Sequence, residues 1–117
     1  MDKVQETLDK LNGSNASTGE IEKCLESGNI LTKANAIMAI VRLKVYNDKI
    51  INQLSKIARN IDNESRVIGV WNSGHFALVA LKLLNTEKSR TLYEQIASGL
   101  HTSQQEALQR LLTEWPQ

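Results

Sequence analysis

Residues 65–84 read SRVIGVWNSGHFALVALKLL. Taken at about 100° per residue, one face carries Val67, Val70, Trp71, Gly74, Ala77, Leu78, Leu81 and Leu84. The opposite face carries Ile68, Phe76, Val79, Ala80 and Leu83, so it is apolar as well. A helix that is apolar nearly all round is either buried or crosses a membrane. Arg66, Asn72, Ser73, His75 and Lys82 interrupt the run, and no window of about 18 residues is purely apolar. The stretch predicts a central helix packed on two sides by other helices, with no membrane span.

The rest of the chain supplies those neighbours. Just before it, 48–59 is cleanly amphipathic behind an Asn47-Asp48 cap: Ile50, Ile51, Leu54, Ile57 and Ala58 face one way, Lys49, Asn52, Gln53, Lys56 and Arg59 the other. Earlier still, 32–46 is apolar on most sides and should be largely buried. A shorter helix over 17–27 buries Ile21, Cys24 and Leu25, and Ser17 with Glu20 has capping-box spacing. An amphipathic stretch with Val4, Leu8 and Leu11 on one face predicts a first helix over 2–12. After the central stretch, Asn85-Thr86 caps a helix over 87–98 that Gly99 ends. Ser103 and Glu106 repeat the capping-box spacing at the start of a last helix over 103–114. No run alternates polar and apolar residues long enough to predict a strand.

A chain of 117 residues holds one domain with one core, here 1–117. Its one proline, Pro116, stands at the end, so helix can run almost throughout. The net charge of +1 is no footprint for nucleic acid. Charge is uneven: residues 1–29 hold six acids against three lysines, net −3. Cys24 is the only cysteine, which rules out an internal disulfide and fits a reducing compartment. The N-terminus lacks the apolar core of a secretory signal, and the expected location is the cytoplasm.

The two apolar helices share a pattern. Ala36–Leu43 (AIMAIVRL) and Ala77–Leu84 (ALVALKLL) both read A-x-x-A-[IL]-x-x-L, about 40 residues apart. Each pairs with an amphipathic helix across a short turn. This alternation resembles HEAT or armadillo-type repeats. The resemblance implies an all-α fold: an α-solenoid-like array of about three antiparallel helix pairs, 17–27 with 32–46, 48–59 with 65–84 and 87–98 with 103–114, plus the N-terminal helix. The sequence departs from the HEAT pattern in lacking the usual proline of the outer helices. Asp62 and Arg66 only loosely echo the aspartate and arginine near the turn. An irregular helical bundle is the alternative.

Catalytic motifs are missing from the sequence. His75 and His101 have no partner at metal-ligand spacing, and there is no glycine-rich phosphate loop and no G-x-S-x-G. The reading is therefore a non-enzyme with no cofactor, no metal and no small-molecule substrate. The oddest local feature is Trp71-Asn72-Ser73-Gly74-His75 inside the apolar run. Gly74 could permit a close helix crossing, with Asn72 and His75 satisfied by loop carbonyls. Alternatively this turn meets a partner.

Solenoids make extended binding surfaces, which favours a protein-binding module. In size and style the chain resembles bacterial immunity proteins, in particular those of contact-dependent growth-inhibition systems. That resemblance implies a protein partner, a cognate toxin domain such as a nuclease, neutralised by covering its active site. The contacts are then expected from Glu20, Glu22 and Glu26 along one helix, from Asn72 and His75, and from Trp115, read as exposed where Trp71 is read as core. The alternatives are a HEAT-like nucleic-acid-binding protein, using basic residues between Lys33 and Arg66, or an adaptor subunit of another complex.

Overall fold

Asparagine side chains open three of the helices. The computed structural model describes residues 18–115. The helix expected over 2–12, and the start signal at Ser17, lie outside them. Helix α1 spans Thr18–Leu25 and buries Ile21, Cys24 and Leu25, as its spacing predicts. Helix α2 spans Ile30–Leu43. It starts two residues earlier than the 32–46 reading because the Asn29 side chain accepts the Thr32 N–H at 3.0 Å. It stops earlier because Lys44 turns left-handed, φ 56°, which leaves Val45 and Tyr46 in the connection. Helix α3 spans Asp48–Arg59, with Asn47 accepting the Ile50 N–H at 2.7 Å. Its buried residues include all five apolar positions assigned to its inner face.

The central stretch is not one helix. Arg66–Ile68 (β1) and Trp71–Asn72 (β2) form a small antiparallel hairpin, and helix α4 runs only over Ser73–Leu84. This corrects both the continuous helix over 65–84 and the absence of strands. The reason is local. Val67, Ile68 and Val70 are branched at Cβ and favour extended backbone, and Gly69 sits at φ +56°, a conformation cheap only for glycine. Asn72 then caps α4, which ends at a left-handed Asn85.

Helix α5 spans Glu87–Ser98 and is capped by Thr86, whose partner in the capping box is Ser89. Helix α6 spans Thr102–Glu114. The Ser103–Glu106 box does not form: His101 holds the cap position and makes no side-chain cap bond. Gln105 turns back instead and donates to the Ala97 and Leu100 carbonyls at the end of α5, at 3.3 and 3.1 Å.

Helix α4 lies at the centre and packs against α2, α3, α5 and α6. Helix α1 packs on α2 and α3, and α3 also touches α5. The four alanines of the shared pattern, Ala36, Ala39, Ala77 and Ala80, are all fully buried, where small side chains let helices approach closely. The buried apolar residues form one continuous core. The hairpin sits across one side of it: β1 packs on α2 and β2 on α6.

Candidate functional site

The acidic residues of α1 do not form a free row. Glu22 meets Lys49 Nζ at 3.3 Å and lies 3.5 Å from Asn47 Nδ2, both at the start of α3. Glu26 accepts from Gln53 Nε2 at 3.0 Å, and the same amide donates to the Glu22 carbonyl at 3.1 Å. Two of the three carboxylates thus bind α1 to α3. Glu20 lies beside Cys24. That thiol is buried, and burial, then the Glu20 charge, pushes its pKa up, which makes it a poor nucleophile.

Asn72 and His75 are interior residues. The Asn72 side chain accepts the Gly74 N–H at 2.8 Å and donates to the Ile61 carbonyl at 2.6 Å. His75 Nδ1 accepts the Asn72 N–H at 3.0 Å, and His75 Nε2 lies 2.6 Å from Gln104 Oε1 on α6. Gly74 is needed here, since a Cβ would stand 2.6 Å from Ile61 Cγ1. The close-crossing reading of this turn accounts for these contacts, with a loop carbonyl satisfying Asn72. Burial pulls the His75 pKa down, with the Gln104 hydrogen bond a smaller opposing influence.

Trp115 is not exposed. It is only 8% accessible and packs edge-on against Phe76, ring centroids 5.4 Å apart. The backbone after α6 turns it back onto α4, and its apolar area is better buried there than in water. Trp71 is half-buried beneath the hairpin and donates its indole N–H to the Ala107 carbonyl at 2.8 Å.

The exposed apolar side chains lie elsewhere. Ile68 is 62% and Val70 57% exposed on either side of the hairpin turn, and Leu31 is 54% exposed at the start of α2. Ile30, also exposed, shares a small cleft with Ser65, the residue just before β1. Reading 65–84 as a buried helix hid Ile68 and Val70. The signal that could have found them is Gly69 between β-branched neighbours, followed by the Asn-Ser start of a helix.

A second feature is a groove of about 620 Å³ between α1, α2 and α3. Lys33 and Glu64 pair across one end at 2.9 Å, and Asn60 donates to Glu64 at 2.8 Å. Lys56 and Arg59 line it further along α3. Among the described residues no group of three His, Cys, Asp or Glu side chains could hold a metal ion. No described helix is long and apolar enough to cross a membrane. Comparison with protein-family models, with curated proteins and with solved structures finds no match.

Proposed function

We propose that this chain is a protein-binding module that works in the cytoplasm. In its most concrete form it is an immunity protein that captures a cognate toxin domain and covers its active site. The observation that carries the reading is the hairpin tip. A loop at the surface normally presents polar residues, yet this one presents Ile68 and Val70, with Leu31 and Ile30 on the helix that β1 packs against. Apolar side chains exposed at a surface turn are the anchors a protein interface uses, with charged residues around them steering association.

The order of helix contacts supports the HEAT-like part of the proposal. Helices α1, α3 and α5 touch in sequence, and so do α2, α4 and α6; α1 packs on α2 and α3 on α4 as in stacked helix pairs, but α5 and α6 do not pack closely on each other. The hairpin then bridges α2 and α6, the helices expected to be inner in the first and last pairs. The many lysines are less available to a nucleic acid than their number suggests: Lys33, Lys49 and Lys88 each meet a carboxylate of the chain.

The test is co-expression with the toxin domains encoded beside the gene. Wild-type protein should protect cells and co-purify with one of them. The double variant Ile68→Asp, Val70→Asp should keep the helical circular dichroism spectrum and lose protection. Wild-type protein that protects against none of these domains sinks the immunity reading, and the adaptor reading takes its place. Full protection by the double variant moves the interface away from the hairpin.

A further inference from the structure

His75 is 1% exposed, and its ring joins the hairpin, α4 and α6. Nδ1 accepts the N–H of Asn72, the residue that ends β2 and caps α4. A ring nitrogen that accepts carries no proton, so the neutral ring holds its proton on Nε2 and donates it to Gln104 Oε1. Gln104 is oriented for this role, since its Nε2 faces Asp62 Oδ1 at 3.4 Å. The glutamate or glutamine usual in a capping box is here replaced by histidine, whose side chain takes up a proton near neutral pH.

We infer that His75 is a proton-operated latch: uptake of a proton on Nδ1 breaks the His75 half of the α4 capping box and releases the hairpin, while Nε2–H stays on Gln104. The proton comes from solvent and takes the Nδ1 lone pair that receives the Asn72 N–H. Two N–H donors then face each other. Asn72 can escape only by moving, and it is also paired with Arg66 in the hairpin and bonded to the Ile61 carbonyl. No countercharge on the ring's own contacts relieves the repulsion.

The charged and titratable groups on the surrounding elements do not replace one. Arg66 lies across the hairpin from Asn72. The Lys33–Glu64 pair, beside Ser73, is internally neutralised. Asp62 reaches the ring only through Gln104. Arg59 and His101 line a separate groove with Asp62, and Glu106 is exposed on α6. On α5, Tyr93 stacks with Lys82 toward the other end of α4. Burial acts in the same direction as the lost acceptor, because the desolvated ring resists charge until the latch opens.

The experiment is amide hydrogen exchange by NMR on the whole chain from about pH 7 to about pH 5, corrected for intrinsic exchange rates, with the His75 ring titrated in parallel. In wild-type protein, hairpin amides 67–72 should lose protection about tenfold or more over this range, while interior amides of α3 hold theirs. The variant His75→Gln keeps a capping-box acceptor without a titrating group, and its hairpin protection should be flat. Gln104→Glu places a carboxylate on Nε2–H, stabilises the charged ring and should move both midpoints to higher pH. Flat protection in wild type, or a pH response in His75→Gln equal to wild type, overturns the latch. If His75→Gln does not fold, the Gln104→Glu midpoints decide, and unchanged midpoints overturn it.

Discussion

A Cβ added at Gly74 would lie 2.6 Å from Ile61 Cγ1 and 2.8 Å from the Ile61 Cα. Backbone cannot rotate out of the way as a side-chain tip can, so Gly74→Ala must push α4 off the 60–65 connection. The expected cost is about 1–3 kcal/mol by urea denaturation. Gly28→Ala, where a Cβ meets nothing within 4 Å, should stay within about 0.5 kcal/mol. Equal effects at the two glycines would mean that the crossing at Ile61 is not tight. His75 sets a pH dependence of global stability. Its pKa is lowered on folding from an ordinary 6.5, so the unfolded chain binds more protons between the two values. The contribution is complete above about pH 6.5 and is lost as pH falls through the lowered folded value. Thermal melts from pH 8 downward should show that decline, reduced in His75→Gln.

At the scale of elements, α1 is a short helix held to α3 by side chains. Lys49 is well exposed, so its pairing with Glu22 is worth no more than about 0.5–1 kcal/mol after solvent screening. Glu22→Lys should destabilise by that order, and Lys49→Glu added to it should restore most of the loss in a double-mutant cycle. No recovery would mean that the pair is incidental. The same substitution tests the proposed partner surface: a loss of binding to the proposed toxin domain that persists in the restored double variant belongs to the charge itself and not to α1 coming loose. The hairpin depends on one backbone conformation. Gly69→Val places a β-branched residue at φ +56° and should cost about 1–2 kcal/mol of hairpin stability while leaving helix content unchanged.

On the scale of the whole molecule, α4 touches four other helices, and a truncation inside it opens a cavity that no single element can close. Leu81→Ala, at a fully buried position, should cost about 2–5 kcal/mol, against less than about 0.5 for the exposed Lys56→Ala. Comparable values at both sites would invert the inner and outer assignment of α3 and α4. The hairpin bridges α2 and α6, so a change at its base should reach both.

Hydrophobic periodicity determined much of this architecture by itself. An apolar helix with no polar face has to lie at the centre, and amphipathic 48–59 has to cover it. The start of α5 was legible in Thr86, because caps are local chemistry between residues three apart. What periodicity could not separate was helix from strand over 65–72, since Val67, Ile68, Val70 and Trp71 satisfy either pattern. Gly69, at φ +56°, turns the chain locally, and the tertiary structure fixes the outcome by holding Asn72 to the Ile61 carbonyl and Trp71 to the Ala107 carbonyl. The same holds for the candidate surface. Whether an aromatic or an acid is exposed depends on what packs over it. Phe76 covers Trp115 and α3 engages Glu22 and Glu26, whereas Ile68 and Val70 are left in water. Those outcomes rest on contacts between residues far apart in the chain, which no reading of local spacing contains.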